Sequence, residues 1–150
     1  PDGTFDPDDI VKLLPFTADV EVVFGSRTVQ TFILSGANMG WFLRWGNWAV
    51  AKLAEVLYNT VYLSDVGCTF RVLTRSAIEE IEPHFRSTGS SFGFEMMLIV
   101  AERRLPLVQV PVKYQPRVGE SSVTGDQGKA VKLGLEMIRM CLVRRFRRPR

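Results

Sequence analysis

Runs rich in β-branched residues alternate with helical patterns along this 150-residue chain. Residues 20–24, 69–73 and 107–114 have the composition of strands. Between them, residues 41–59 and 92–104 carry apolar side chains three and four positions apart, which is the spacing of a helix. Because alternating strands and helices bury their apolar faces in layers, this order predicts an α/β fold.

Cap and turn residues predict where some of these elements begin and end. Asp6 is a good N-cap for a helix over residues 7–14. Gly25 and Ser26 are turn residues, and we expect them to end the first strand. A last helix is expected over residues 128–145.

The composition excludes several classes of protein. With 46% hydrophobic and 23% charged residues, the chain is an ordinary globular protein rather than a disordered one. Its two cysteines cannot form a dense disulfide framework, and its single histidine excludes a site with several histidines. The sequence has no uncharged apolar run of about 18 residues, so it predicts no transmembrane helix.

The charge is strongly asymmetric. Residues 128–150 contain eight basic residues and one acid, a net charge of +7, which leaves −4 for the rest of the chain. A basic end on an acidic body predicts contact with an anionic surface, and the alternative of a solvated tail stays open. Nucleic acid is the disfavoured partner, because the basic residues are confined to one end.

Five short segments contain most of the polar residues that are candidates for chemistry. In chain order they are Asp2-Gly3, residues 23–27 (VFGSR), residues 64–71 (SDVGCTFR), residues 92–95 (FGFE) and residues 110–122 (VPVKYQPRVGESS). In this order and spacing the chain resembles the family 2 glycosyltransferases, and within them the dolichol-phosphate mannosyltransferase-like group. The resemblance extends over nearly the whole sequence.

The resemblance implies a partial GT-A fold, which is Rossmann-like, without its N-terminal nucleotide-binding half. The sequence begins at Pro1 rather than Met, and we expect upstream sequence to supply that half. Residues 1–127 would form the catalytic and acceptor side of the domain. Residues 128–150 would form a basic C-terminal helix and tail.

The resemblance also implies a divalent metal, Mg²⁺ or Mn²⁺. Asp2 matches the second aspartate of the family's metal motif, and its partner would lie two positions upstream. Carboxylates beside phosphate oxygens are the ligands that Mg²⁺ favours. Two positions depart from the commoner family pattern, namely Thr4 and Cys68, and they leave the sugar specificity open.

Three arginines and one aspartate carry the remaining expected roles. Arg27, Arg71 and Arg117 are expected to bind phosphate or diphosphate, because a guanidinium donates two parallel hydrogen bonds. The alternative for each arginine is an ordinary ion pair. Asp65 matches a family aspartate close to the reacting sugar, which implies a catalytic role in polar positioning or base assistance.

Other polar residues are expected at the substrate. Ser121 and Ser122 lie in the polar loop after residues 107–114 and offer hydroxyl groups to a phosphate. Glu95 is expected to bind a sugar hydroxyl or a site arginine. Its alternative is a first-turn acid that is stabilised by the helix dipole.

The three tryptophans share one face of the predicted helix over residues 41–59. Trp41, Trp45 and Trp48 are spaced by four and three positions. Packing into the core is the favoured interpretation. Contact with lipid is the alternative, because Arg44 lies between them.

The expected function is metal-dependent transfer of a hexose from a nucleotide-sugar donor to a polyprenyl phosphate. We expect the protein to be cytoplasmic and peripheral to the membrane, on an anionic surface. One alternative is a family 2 glycosyltransferase with a soluble or polysaccharide acceptor. The other is a non-enzymatic basic module that binds anionic lipid.

Overall fold

The computed structural model describes residues 3–29, 32–33, 40–116, 118 and 127–146. Among these residues, three strands form one mixed sheet in the order β2-β1-β3. The strands are β1 (Val22–Ser26), β2 (Arg71–Leu73) and β3 (Leu107–Pro111). β1 is antiparallel to β2 and parallel to β3. The predicted α/β class is confirmed.

Helices cover both faces of the sheet. They are α1 (Ile10–Leu13), α2 (Trp41–Tyr58), α3 (Arg75–Ile81), α4 (Phe92–Arg103) and α5 (Gln127–Phe146). On one face, Val22 and Phe24 pack into the main core with residues of α2, α4 and α5. On the other face, Val23 packs with Leu13 of α1 and with Val110. The sheet is therefore the middle layer between α1 and the larger group of helices.

The three longer helices lie where the hydrophobic periodicity predicts them. α2, α4 and α5 begin and end within one residue of the expected ranges. α2 ends at Asn59, which has a left-handed φ of 48° and returns its N–H to the carbonyl of Glu55. The shorter opening helix is also capped as expected, since Asp6 accepts from the backbone N–H of Asp8 at 3.1 Å.

The expected end of the first strand is wrong. β1 continues through Gly25 and Ser26, because neighbouring segments complete their backbone hydrogen bonds. Gly25 donates to the carbonyl of Phe70 at 2.8 Å, and the carbonyl of Ser26 accepts from Val112 at 3.0 Å. As a result, Ser26 of β1 lies opposite Pro111 of β3, and these parallel strands end at the same edge of the sheet.

Within the part of the chain that the structure describes, no helix is long and apolar enough to cross a bilayer.

Candidate functional site

A cavity of about 430 Å³ opens where β1 and β3 end. Ser26 and Pro111, the last residues of these two strands, both line it. Ligands of open α/β sheets bind beyond the carboxyl ends of the strands, so this edge is the expected place for a site.

The cavity has an aromatic side and a polar side. Its lining residues are Trp45, Trp48, Tyr62, Val29 and Pro111, together with the polar Arg44, Ser26, Thr28, Ser64 and Gln109. Trp45 and Trp48 meet edge to face, with their ring centroids 5.4 Å apart. The ion pairs of the described residues do not include Arg44. The cavity therefore combines an apolar surface with a cation and hydroxyl groups.

Asp65 lies directly behind the polar side and forms a buried ion pair with Arg27. The Arg27 guanidinium binds both carboxylate oxygens, with Nε to Oδ2 at 2.8 Å and Nη2 to Oδ1 at 2.9 Å. The backbone N–H of Arg27 also donates to Oδ2 at 2.9 Å, and the backbone N–H of Gly67 donates to Oδ1 at 2.8 Å. Each oxygen of the Asp65 carboxylate thus already accepts two hydrogen bonds.

The pair keeps both of its members charged. Burial alone would raise the pKa of Asp65, but the Arg27 charge and the hydrogen bonds outweigh burial and hold that pKa below its usual range. Burial would likewise lower the pKa of Arg27, and the Asp65 carboxylate more than offsets this effect. An ionised carboxylate with four donors is suited to fixing geometry rather than to taking a proton.

Gly67 is required by the position of the Arg27 side chain. A Cβ atom on Gly67 would lie 2.5 Å from Nη2 of Arg27 and 3.0 Å from Oδ1 of Asn47. Only a glycine lets the guanidinium reach Asp65 past this turn. The glycine within the 64–71 segment is thus explained by packing around the ion pair.

Arg71 is half-buried, and its donors are directed to backbone carbonyls. Nε and Nη2 donate to the carbonyl of Cys68 at 3.0 Å and 2.7 Å, and Nη1 donates to the carbonyl of Gly93 at 2.6 Å. Burial lowers the pKa of Arg71 to about 10, so it stays charged near neutral pH. A Cβ on Gly93 would lie 2.7 Å from this guanidinium. Arg71 therefore ties the start of α4 to the segment before β2.

Glu95 is buried away from the cavity, and it holds the loop before α4. Its Oε2 accepts from the backbone N–H groups of Arg86 and Ser87 at 3.0 Å and 2.7 Å. Its Oε1 accepts from Nη1 of Arg144 at 2.9 Å. The arginine that Glu95 binds therefore comes from α5.

Two arginines of the predicted basic end, Arg144 and Arg145, bind the protein itself. Arg144 also pairs with Glu102 on α4 at 2.8 Å, and its side chain is 17% exposed. Arg145 donates to the carbonyl of Leu57 at 2.7 Å. Arg144 thus attaches α5 to two carboxylates of α4, and Arg145 attaches it to a backbone carbonyl of α2.

The expected packing of the tryptophans into the core is wrong. Trp41, Trp45 and Trp48 are 70%, 52% and 42% exposed. The buried residues of α2 begin only at Val50, so its first half extends beyond the core. The periodicity correctly predicts a helical face, but it contains no information on whether the core reaches that face.

Four of the predicted site residues lie outside the described residues. They are Asp2, Arg117, Ser121 and Ser122. Of the other four, Asp65 and Arg27 lie together behind the cavity, whereas Arg71 and Glu95 bind backbone groups elsewhere. Among the described residues, no three His, Cys, Asp or Glu side chains are grouped as a metal site. The predicted roles of all eight residues stay predictions.

Sequence reasoning missed Arg44, Tyr62 and Gln109 as lining residues. The sequence could have identified Gln109, because it is the one polar residue of β3 and lies between two valines. Arg44 also carried a signal, since it lies between the tryptophans of the predicted helix, whereas Tyr62 belongs to no local motif.

Two hexosyltransferases of Haloferax volcanii are similar to this chain. It is 30% identical over 148 residues to the dolichyl-phosphate hexose transferase, and the aligned region covers 97% of this chain and 60% of that protein. It is 31% identical over 124 residues to the low-salt glycan biosynthesis hexosyltransferase Agl6, and this aligned region covers 81% of this chain and 29% of that protein. The chain thus resembles hexosyltransferases.

This similarity agrees with the motif resemblance to glycosyltransferases. The chain spans 60% and 29% of the lengths of these two relatives. No protein-family model matches it. No solved structure matches it either.

Proposed function

We propose that this chain contributes the acceptor side of an enzyme that transfers a hexose from a nucleotide-sugar to a polyprenyl phosphate. The observation that carries the proposal is the cavity, in which Arg44 lies beside Trp45, Trp48 and Tyr62. A polyprenyl phosphate has the same two parts, an anionic head and an apolar chain. One of the two relatives is named as a dolichyl-phosphate hexose transferase, which supports the same acceptor.

In this proposal, Arg44 binds the acceptor phosphate and the aromatic side contacts the first isoprene units. Arginine binds phosphate in a forked geometry, and three aromatic rings provide an apolar surface. The phosphate is already ionised near neutral pH, so the reaction depends on orientation and charge more than on a strong base. Asp65 accepts four hydrogen bonds and is not suited to taking a proton, which agrees with a reaction that needs no strong base.

Asp65 and Arg27 then act as positioning residues. Their ion pair fixes the turn that carries Ser64, and the Ser64 hydroxyl lines the cavity. Arg117, Ser121 and Ser122 remain proposed phosphate ligands, and Arg27, Arg71 and Glu95 are proposed to support the substrate site from behind it. For Arg71 and Glu95 the proposal is indirect, because their side chains hold the backbone segments next to the site.

We further propose that Asp2 contacts Mg²⁺ or Mn²⁺, which would stabilise the leaving diphosphate of the donor. Two of the described carboxylates of this segment have other partners: Asp6 pairs with Lys113 at 3.2 Å, and Asp9 pairs with Lys12 at 2.8 Å. Asp2 is assigned to the metal because it matches the second aspartate of the metal motif that the chain resembles.

Asp2→Asn is expected to lower hexose transfer about tenfold at limiting Mg²⁺, because a neutral amide is a weaker ligand than a carboxylate. Excess Mg²⁺ should restore part of the loss. The measurement is the transfer rate as a function of metal concentration. Asp8→Asn, an exposed site in the same segment, is the matched control. An unchanged metal dependence in Asp2→Asn would refute the assignment.

The first half of α2 is proposed to contact an anionic membrane surface, with the protein held peripherally on the cytoplasmic face. Trp41, Phe42, Trp45 and Trp48 are all exposed there, and amphipathic aromatic rings favour the membrane interface. Residues 41–51 contain one basic residue, Arg44, and no acid, so the charge of this face also suits anionic lipid. The lipid would then reach the cavity along the helix that lines it.

The double substitution Trp45→Ala/Trp48→Ala is expected to weaken binding to vesicles that contain anionic lipid by about tenfold, which corresponds to about 1.4 kcal/mol. Vesicle co-sedimentation at two salt concentrations measures the effect. Ile78→Ala removes an exposed apolar side chain from α3 (45% exposed) and serves as the control. If the double variant and the control bind vesicles equally, α2 is not the membrane-contacting face.

Acceptor choice tests the proposed function against its alternatives. The complete protein is incubated with labelled nucleotide-sugars and with either a polyprenyl phosphate or a soluble saccharide. Label in the lipid fraction alone supports the proposal. Label in the saccharide alone supports the alternative family 2 activity, and vesicle binding without any transfer supports a non-enzymatic lipid-binding module.

A further inference from the structure

The side-chain amide of Gln109 holds the turn that contains Asp65. Its Oε1 accepts from the backbone N–H of Ser64 at 2.7 Å and from the N–H of Asp65 at 3.3 Å. Its Nε2 donates to the carbonyl of Asp65 at 2.6 Å. The amide orientation is fixed by these partners, because the reversed orientation would place two donors against each other and two acceptors against each other.

Gln109 also ends a chain of hydroxyl groups along the cavity. The Ser64 hydroxyl donates to Oε1 of Gln109 at 3.2 Å. Ser64 Oγ lies 2.8 Å from Ser26 Oγ, which lies 2.9 Å from Thr28 Oγ1. All four side chains line the cavity.

The three hydroxyl groups are linked to one another, and either member of each hydroxyl pair can be the donor. Gln109 Oε1 already accepts from two backbone N–H groups, so the Ser64 hydroxyl is a third partner of the same oxygen. What Gln109 fixes is therefore the backbone of the turn, with the Ser64 hydroxyl held beside it.

We propose that Gln109 is a positioning residue for hexose transfer: it fixes the peptide between Ser64 and Asp65 and thereby holds Ser64 at the wall of the cavity. The assignment deepens the proposed function and depends on it for its kinetic test.

The test uses Gln109→Glu and Gln109→Leu in the complete protein. A protonated carboxyl supplies the one donor and the one acceptor oxygen that the Gln109 amide uses here, whereas a carboxylate only accepts and repels Asp65. The transfer rate of Gln109→Glu should therefore approach the wild-type rate at acid pH and fall as pH rises. The pH–rate profile of the wild type should not show this fall. Gln109→Leu should lose roughly tenfold in kcat at every pH, with KM changed less.

The charged and titratable groups that face this position lie on several elements. They are Asp65, Arg27, Arg44 and Tyr62. Because these groups are common to the wild type and both variants, the difference between pH profiles reports the introduced carboxyl. Gln127→Glu, which makes the same change at the start of α5, is the control.

A second readout does not require turnover. The backbone amide NMR signals of Ser64 and Asp65 should titrate in Gln109→Glu and shift in Gln109→Leu. If the wild type transfers no hexose, the proposed function fails and these signals alone decide the role of Gln109. Amide signals that neither move nor titrate overturn the positioning role, as does a pH profile of Gln109→Glu that matches the wild type.

Discussion

Asp65→Asn is expected to lower the free energy of unfolding by about 3–5 kcal/mol, because it leaves the Arg27 guanidinium buried without its counterion. The Asp65 side chain is fully buried and that of Arg27 is 11% exposed, so water cannot replace the lost partner. Transfer should fall roughly 100-fold or more, since the turn behind the cavity loses its fixed geometry. Chemical denaturation and the transfer assay measure the two effects.

A second variant separates folding from function. Arg27→Met/Asp65→Asn removes both charges, and replacing a buried ion pair by uncharged groups is often close to neutral for stability. This double variant should recover most of the lost stability while transfer stays low. Asp19→Asn, an exposed site, is the control and should change stability by less than about 0.5 kcal/mol. Full transfer by the double variant would show that the pair has no role in the reaction.

The pH dependence of stability provides an independent check. The pKa of Asp65 is lower in the folded protein than its usual value of 3.8. The ion pair therefore stabilises the fold at neutral pH and loses its contribution as pH falls below about 4. The stability gap between the wild type and Asp65→Asn should narrow in that range. A gap that is constant from pH 7 to about pH 2 would contradict the charged pair.

Arg44→Ala is expected to raise KM for the polyprenyl phosphate roughly 10- to 100-fold, because a charge-assisted contact to phosphate contributes about 1.5–3 kcal/mol. KM for the nucleotide-sugar should change far less, since the proposal assigns Arg44 to the acceptor. Steady-state kinetics with each substrate varied in turn measures both constants. Arg44→Lys should show a smaller rise in acceptor KM, because lysine keeps the positive charge but cannot donate two parallel hydrogen bonds.

The control for this variant is Arg75→Ala, which removes an exposed arginine from the first turn of α3. Thermal unfolding should show both variants close to the wild type, because neither arginine is buried. Equal acceptor KM values in Arg44→Ala and Arg75→Ala would remove Arg44 from the phosphate site.

The sequence was a good guide to elements with a strong local period. α2, α4 and α5 follow from their apolar spacing, and the Asp6 cap follows from its position before Pro7. The strand end at Gly25 and Ser26 was mispredicted, because their hydrogen-bond partners in residues 70 and 112 lie far away in sequence. Secondary-structure propensity is read from neighbouring residues, so it does not detect hydrogen-bond partners that are distant in sequence.

The candidate site was only partly accessible from the sequence for the same reason. Arg27 and Asp65 were each identified, but their pairing joins residues 38 positions apart. The partner of Glu95, Arg144, lies 49 positions away on α5. Only the fold shows that these charges neutralise each other, and that the tryptophans of α2 lie beyond the core.

Hexose transfer into lipid tests the central claim most directly. The complete protein, polyprenyl phosphate vesicles, Mg²⁺ and labelled nucleotide-hexoses are combined, and the lipid extract is analysed by mass spectrometry. We predict a hexosyl polyprenyl phosphate that forms with the wild type, declines strongly with Arg44→Ala and persists with Arg75→Ala. Absence of this product with every nucleotide-hexose supplied to the folded wild-type protein, or equal yields from both arginine variants, would contradict the claim.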